Sequence, residues 1–338
     1  MKHSEKIISA APEEDELDDV PGAAAELELR GWAIGPAQHG QRLDRALAEL
    51  VPEFSRSYLQ QLIEAGAVTQ QGACLLKPAQ RMKLGEQGQI ELRPTPQSQA
   101  FKPEAISLHS VYEDEHLRII DKPAGLVVHP APGHWSGTLL NGLLALDPQA
   151  VSMPRAGIVH RLDKDTSGLM LVARSRPVMD ALVRLIALRQ VSREYLALAH
   201  NSWQGPKVRE LDSPIGRDPR HRLRMAVVDL ARQAGKTAQT RIELVQNSPQ
   251  GCLLRCALRT GRTHQIRVHL ASIGHPLVAD ELYGGAQAAG LQRQALHAYR
   301  LALTHPVTGL PLVMQSTLPA DFQQALVSWG LDPAACMT

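Results

Sequence analysis

The chain has 338 residues, a length that favours two domains, and its 44% hydrophobic content is enough for a sizeable core. No apolar run approaches the roughly 18 residues of a membrane span, and the N-terminus lacks the apolar segment of a signal peptide. We therefore expect a cytoplasmic protein without a membrane partner. The four cysteines form no Cys-x-x-Cys pair, which argues against a disulfide framework and a zinc knuckle.

The distribution of charge is more informative than the formal net charge of +2. Residues 12–19 form an acidic block, so the remainder of the chain is distinctly basic. An excess of basic residues in the rest of the chain favours a polyanionic partner. The alternative is that these residues only form an ordinary solvated charged surface.

The first segment with a folded pattern begins after an acidic, Ala-rich stretch, residues 1–28, which we expect to be a disordered tail. Residues 40–93 are predicted to form a small α/β domain. Its first helix carries an apolar face from Leu43 to Val51, and Ser55 is a suitable N-cap for a second helix that ends near Gly66. Short strands are expected around Val68, Leu75 and Ile90.

Basic side chains lie on the polar faces of this small domain, where they could contact phosphates. A generic small basic domain is the alternative. The candidate RNA-binding residues are Arg42, Arg45, Arg56, Lys77 and Arg81.

A proline-rich linker, residues 94–105, is expected to precede a larger domain spanning residues 106–330. Hairpins outnumber strand-helix-strand crossovers in this domain, which favours an α+β fold with a mixed, mainly antiparallel sheet. We predict helices starting near Thr138 and Pro177 and a closing helix over Pro319–Trp329. Predicted strands include Leu117–Ile120, Leu126–Val128, Leu169–Ala173, Tyr195–Leu198, Arg241–Val245, Cys252–Leu258, Leu301–Leu303 and Leu312–Met314.

The segment from His160 to Arg174 combines a polar turn with the buried strand that follows it. Asp163 is expected on the loop at the edge of this strand, where Arg161 and Lys164 would favour its charged form. An ionised carboxylate there can serve catalysis, although a loop aspartate that bonds its own backbone is the simpler interpretation.

Two further stretches concentrate positive charge. The loop from Arg217 to Arg224 contains the candidate RNA contacts Arg217, Arg222 and Arg224. The stretch Arg259–His269 leads into a helix, and Arg262 within it can bind a carboxylate or phosphate bidentately. An ordinary surface loop is the alternative for this second stretch.

Metal and nucleotide chemistry receive little support from the pattern. The fourteen histidines lack a third ligand at useful spacing, so we predict no metal. A phosphate-binding glycine loop, a dinucleotide fingerprint and a Gly-x-Ser-x-Gly motif are also missing, so we expect no cofactor.

The two long motifs, taken together, resemble the paired signature of the RluA-type pseudouridine synthases. They are His160–Leu169 and Arg259–His269, supported in chain order by Asp121-Lys122-Pro123, His275-Pro276 and Tyr283-Gly284-Gly285. The region from Arg42 to Gly72 is similar to the S4 RNA-binding domain that precedes the catalytic domain in this family.

The resemblance implies roles for individual residues. Asp163 would be the nucleophile, Tyr195 the active-site tyrosine, and Arg262 the arginine that pairs with the aspartate and keeps it ionised. Arg161 would brace the space that a flipped-out uridine leaves. Attack of Asp163 at C1′ and attack at the uracil ring both remain open.

The resemblance also implies a substrate, namely uridines of 23S ribosomal RNA or pre-50S particles in the stem-loop at the subunit interface. We expect a monomer. Two other functions stay open at this point: a non-catalytic RNA-binding factor in ribosome assembly, and a metal-dependent hydrolase that uses the histidines.

Overall fold

The computed structural model describes residues 28–52, 54–92, 100–131, 133–221 and 223–336. These form two compact units, 28–92 and 100–336. The expected acidic tail lies outside the described residues except for Glu28, which is the first residue of a strand.

The smaller unit packs two helices against an antiparallel sheet of order β1-β4-β2-β3. Its helices are α1 (Leu43–Leu50) and α2 (Arg56–Glu64). Its strands are β1 (Glu28–Ala33), β2 (Val68–Gln70), β3 (Ala73–Cys74) and β4 (Gln87–Leu92). The sequence pattern did not indicate β1, because its side chains are mostly exposed and it is stabilised by pairing with β4.

Both predicted helices of this unit are present, and their boundaries have the expected causes. The Ser55 hydroxyl accepts a hydrogen bond from the Tyr58 amide at 3.3 Å, so Ser55 is the N-cap of α2. Gly66 follows the helix with a φ of 72°, in the left-handed region that glycine adopts without strain. Leu43, Leu47 and Leu59 are fully buried between the helices and the sheet.

The larger unit is built on a sheet of nine strands in the described part of the chain, ordered β5-β6-β7-β14-β8-β13-β12-β9 with β15 also paired to β14. These strands are β5 (His109–Glu113), β6 (Leu117–Lys122), β7 (Ser167–Ala173), β8 (Ser192–His200), β9 (Val208–Asp212), β12 (Gln239–Asn247), β13 (Gly251–Leu258), β14 (Leu296–Thr304) and β15 (Pro311–Gln315). A separate hairpin joins β10 (Ile215–Arg217) to β11 (Met225–Val227).

The pairing is antiparallel except between β7 and β14, which run parallel. The predicted α+β fold with a mixed, mainly antiparallel sheet is therefore confirmed. The α-helices of this unit in the described residues are α3 (Leu139–Leu146), α4 (Arg176–Ala187), α5 (Gln265–Ser272) and α6 (Ala320–Ser328). The expected N-cap at Thr138 is part of a capping box with Asn141.

One local prediction of this unit was wrong. Residues 126–128 lie in a loop rather than a strand, because their carbonyls accept hydrogen bonds from the side chain of Lys122 and from the first two amides of α3. Residues 100–105 of the expected linker 94–105 lie against α3, where Asn141 donates to the carbonyls of Ala100 and Lys102, and the role of this segment as a linker stays a prediction.

Among the described residues, no helix is long and apolar enough to cross a membrane.

Candidate active site

Asp163 lies on the loop that enters β7, as the polar turn predicted. Its carbonyl accepts a hydrogen bond from the Thr166 amide at 3.1 Å, which closes the turn through Lys164 and Asp165. The strand then begins at Ser167, and Gly168 follows with a φ of 110°. A Cβ at Gly168 would lie 2.2 Å from the carbonyl oxygen of Ala298, so glycine is required where β7 pairs with β14.

Lys122, which is fully buried at the end of β6, binds the loop that carries Asp163. Its ammonium group donates to the carbonyls of Pro123, Leu126 and Lys164 at 2.9, 2.9 and 2.8 Å. Burial lowers the pKa of Lys122 to about 7, against the opposing influence of the nearby aspartates. One buried cation therefore ties the residue after Asp163 to the loop after β6.

The arginine that pairs with Asp163 is Arg267, and not Arg262 as the resemblance led us to expect. Nη1 of Arg267 donates to Asp163 at 2.9 Å, while Nε and Nη2 both donate to Asp280 at 2.8 Å. The Nε atom of Arg262 donates instead to the carbonyl of Thr237 at 3.0 Å. Arg262 precedes α5, whereas Arg267 is its third residue and faces the loop of Asp163.

Arg267 is itself held in place by its surroundings. Although burial lowers its pKa, the hydrogen bonds and charge of Asp280 and Asp163 outweigh burial and raise the pKa above its ordinary value. Its guanidinium also lies over the ring of Tyr283, 5.0 Å from the centroid. The guanidinium thus presents one fixed N–H to Asp163.

His264 and Tyr283 complete the wall beside Asp163. The Tyr283 hydroxyl and Nδ1 of His264 are 2.8 Å apart, and Nε2 of His264 is 3.9 Å from the Asp163 carboxylate. Burial is the main cause that lowers the pKa of His264, partly opposed by Asp163. His264 adopts a φ of 56°, so the chain turns sharply before α5 begins.

Asp163, Tyr195, Arg262 and Arg267 line one cavity of about 410 Å³, a size within the range of small-ligand sites. Tyr195 is buried on β8, and burial raises the pKa of its phenol, so the hydroxyl is protonated at neutral pH. The structure thus brings together the three residues predicted for catalysis, although it changes the partner of the aspartate.

Gln265 shapes the loop that forms the other side of the cavity. Its side-chain oxygen accepts from Thr260 and from the amide of Arg262, at 2.8 and 3.0 Å, and its amide nitrogen donates to β12. The glutamine is only 3% exposed, so the loop has a fixed shape before a ligand arrives.

The basic residues predicted to contact RNA in the larger unit have different surroundings. Arg161 is exposed at the cavity wall, and Arg217 is exposed on β10. Arg224 is half-buried with its guanidinium 5.4 Å from the centre of the Tyr283 ring, whereas Arg222 lies outside the described residues. Their contact with RNA stays a prediction.

In the smaller unit, a buried aspartate that the sequence reading missed organises the basic side chains. Arg42 and Arg56 both donate to Asp44, which is fully buried, and Gln60 donates to the same carboxylate at 2.6 Å. Burial would raise the pKa of Asp44, but these hydrogen bonds hold it well below its usual range. Arg42 and Arg56 stay 41% and 49% exposed, so both can still meet a phosphate.

The other three predicted contacts of this unit are exposed. Arg45 lies 3.7 Å from Glu49, one helical turn away, and Nη1 of Arg81 donates to the carbonyl of Gly40 at 2.7 Å. Lys77 lies on the loop after β3.

Within the described ranges, no group of three or more His, Cys, Asp or Glu side chains is arranged to hold a metal ion. Cys252 and Cys256 are buried and unbridged, and burial raises the pKa of the Cys252 thiol to about 12.

Three residues of the site escaped the sequence analysis as functional candidates: Lys122, Arg267 and Asp280. Lys122 and Arg267 lie inside motifs that carried the resemblance, and Asp280 lies between two of those motifs. The available signal was therefore a charged residue inside or beside a motif, although its burial and its partners do not follow from the sequence.

Comparison with known proteins agrees with this geometry. The family model for RNA pseudouridylate synthase matches residues 116–272. A protein named ribosomal large subunit pseudouridine synthase D from Nitrosomonas europaea is 48% identical over 295 residues, which cover 85% of this chain and 84% of the relative. A protein of the same name from Neisseria meningitidis serogroup B is 44% identical over 331 residues, covering 93% and 86%.

Solved structures show the same fold. Human RNA pseudouridylate synthase domain containing 4 superimposes with a TM-score of 0.52 at 23% identity, covering 66% of this chain and 93% of that chain. The corresponding human domain containing 1 gives a TM-score of 0.51 at 23% identity, with 66% and 89% covered. From the extent and identity of the sequence matches, we conclude that the chain belongs to the RNA pseudouridylate synthase family.

Proposed function

We propose that this protein is a ribosomal RNA pseudouridine synthase that isomerises uridines of 23S RNA, with Asp163 as the nucleophile. The observation that carries the proposal is the Asp163–Arg267 pair in the wall of a cavity that Tyr195 also lines. The proteins named ribosomal large subunit pseudouridine synthase D support the choice of RNA.

The reaction needs one nucleophile and the transfer of one proton. The N1–C1′ bond of uridine breaks, the uracil turns within the cavity, and C5 forms the new bond to C1′. The proton leaves C5, and N1 ends as N–H, so atoms and charge balance without a redox step. Attack of Asp163 at C1′ and at the uracil ring are both compatible with this sequence of bonds.

Arg267 prepares Asp163 for this task. Because two of its N–H groups are anchored on Asp280, the third holds the Asp163 carboxylate in one orientation and leaves its second oxygen for the substrate. We assign to Tyr195 stacking on the uracil and a part in proton transfer at C5. Burial raises the pKa of its phenol above the ordinary value.

The uridine must leave its stack to reach the cavity. We propose that Arg161, exposed at the cavity wall, fills the space that the uridine vacates in the RNA.

We further propose that the smaller unit is an S4-like RNA-binding domain that uses Arg42, Arg45, Arg56, Lys77 and Arg81. The proposed target is the stem-loop at the subunit interface, in 23S RNA or pre-50S particles, and the proposed enzyme is a cytoplasmic monomer without a cofactor.

The test compares Asp163→Asn with the matched control Asp165→Asn, which changes a carboxylate of the same turn. Pseudouridine is quantified in 23S RNA fragments after incubation with each protein. Asp163→Asn is expected to lose about a thousandfold or more in rate, as removal of a nucleophile does, while Asp165→Asn stays active. RNA affinity should persist in both variants, because phosphate contacts dominate it.

Undiminished pseudouridine formation by Asp163→Asn would refute the proposed nucleophile. Wild-type protein that binds the RNA but forms no pseudouridine would instead indicate a non-catalytic RNA-binding factor.

A further inference from the structure

Arg193 is a buried cation on the wall of the catalytic cavity. It lies on β8, two residues before Tyr195, so both side chains are on the same face of the strand and both line the cavity. Only 8% of Arg193 is exposed. A guanidinium in such a position normally has a carboxylate partner, because an unpaired buried charge is unfavourable.

Arg193 has no such partner. Within the part of the chain that the structure describes, its side chain makes no hydrogen bond and no ion pair, and its Nε atom is buried without an acceptor. The adjacent Glu194 is on the opposite face of β8, where it accepts hydrogen bonds from Tyr299 and Arg300 at 2.9 and 2.6 Å. The Asp163 carboxylate is bound to Arg267.

The neighbours of Arg193 add no negative charge. Nε2 of His160 accepts a hydrogen bond from the Leu171 amide, so the ring carries its proton on Nδ1. Burial and then the charge of Arg193 lower the pKa of His160 to about 3, so the ring is neutral. Tyr195 is also neutral, because burial raises the pKa of its phenol.

Arg193 lines the cavity, and Gly261 lies beside its guanidinium. Gly261 approaches so closely that a Cβ there would lie 2.9 Å from Nη1 of Arg193, and glycine at this position keeps the guanidinium unobstructed. Arg259 and Arg262 flank Gly261 and also line the cavity, so the potential at this wall is positive.

We propose that Arg193 binds a phosphate group of the RNA backbone adjacent to the uridine that enters the cavity. The inference rests on the proposed function and adds a ligand-binding residue to it. A phosphodiester matches the planar fork of arginine and neutralises its charge. A uracil carbonyl would accept one hydrogen bond but leave the buried charge uncompensated. Arg267 cannot bind the phosphate in this way, because its N–H groups already donate to Asp163 and Asp280.

The experiment combines protein variants with RNA in which one phosphate is uncharged. A stem-loop substrate carries a methylphosphonate either 5′ or 3′ of the target uridine, and single-turnover rates are measured with wild type, Arg193→Met and Arg193→Lys. For wild type, one of the two replacements should reduce the rate about ten- to a hundredfold, as expected for a hydrogen bond between charged groups.

On unmodified RNA, the single-turnover rate of Arg193→Met should be lower than that of wild type by a similar factor. The methylphosphonate that slows wild type should not reduce the rate of Arg193→Met any further. Arg193→Lys, which keeps the charge without the fork, should fall between wild type and Arg193→Met. Arg255→Met is the control, because Arg255 lies on the neighbouring strand β13, pairs with Glu243 and does not line the cavity. It should respond to the methylphosphonates as wild type does.

The proposal is overturned if neither methylphosphonate slows wild type, or if the one that slows wild type slows Arg193→Met by the same factor, since the two changes would then be independent. If Arg193 had only a structural role, Arg193→Met would have a lower melting temperature than wild type. If Arg193 is an unpaired buried charge, its removal should leave the melting temperature unchanged or raise it. If wild type formed no pseudouridine in unmodified RNA, the proposed function would be refuted instead. The phosphate contact is then still tested by the affinities of the same RNAs for wild type and Arg193→Met.

Discussion

Arg267 donates a hydrogen bond of 2.9 Å to Asp163 across 104 positions of the chain, and both residues line the same cavity. The guanidinium is 7% exposed and is anchored on Asp280, which is 1% exposed. The carboxylate of the proposed nucleophile is therefore positioned by a buried arginine that bridges two aspartates, rather than by the basic residues next to it in the sequence.

Replacing Arg267 should impair catalysis more than replacing Arg262. Arg267→Lys keeps the charge, but a single ammonium group cannot hold Asp163 and Asp280 with the geometry of the fork, so we expect about a hundredfold loss in single-turnover rate. Arg262→Lys is the matched control, because Arg262 lines the same cavity but donates to the carbonyl of Thr237. A larger loss in Arg262→Lys would contradict the assignment of the pair.

Lys122 should be essential for the stability of the loop that carries Asp163. Lys122→Met leaves three carbonyl oxygens without their donor, so we expect the free energy of unfolding to fall by about 3–5 kcal/mol. Urea denaturation measures this change. Lys164→Met is the control, since this lysine is exposed on the same loop and should change stability by less than about 0.5 kcal/mol. Equal stability of the two variants would show that the buried ammonium is dispensable.

Asp44 should stabilise the smaller unit. Asp44→Ala leaves Arg42, Arg56 and Gln60 without their common acceptor, so we expect a loss of about 3 kcal/mol in the free energy of unfolding. Hydrogen exchange of the amides in α1 and α2 measures it. Glu49→Ala is the control, because Glu49 is an exposed partner of Arg45 in the same helix. Unchanged exchange in Asp44→Ala would mean that the buried cluster adds nothing to stability.

His297 should make stability depend on pH. Burial lowers its pKa from 6.5 to about 4, although Asp121 opposes the shift, so the folded protein keeps the ring neutral while the unfolded chain becomes protonated. The unfolded state then binds more protons between pH 6.5 and 4, and stability falls as the pH falls through this window, by about 3 kcal/mol from this residue.

The matched variant for this prediction is His297→Gln, which removes the titrating group and keeps a polar side chain next to Ser167. Its free energy of unfolding should decline less steeply between pH 6.5 and 4 in urea titrations. Parallel curves for wild type and variant would show that His297 is not a source of the dependence.

Local patterns predicted those elements whose cause lies within a few residues. The N-caps at Ser55 and Thr138, and the buried strand that begins after the turn of Asp163, all follow from side chains near the element they start. β1 escaped prediction, because its stability comes from pairing with β4, about sixty residues later in the chain.

The sequence by itself determined the fold class, the family resemblance and the place of Asp163 on its loop, because turn chemistry, hydrophobic periodicity and ordered motifs are local properties. Tertiary structure alone decided that Arg267 rather than Arg262 meets Asp163. The left-handed turn at His264 sets the direction of α5, and no spacing rule specifies which residue of that helix then faces a loop about a hundred positions earlier. Tertiary structure likewise decided the surroundings of Arg193, whose side chain meets no carboxylate among the described residues once the strands around it are assembled.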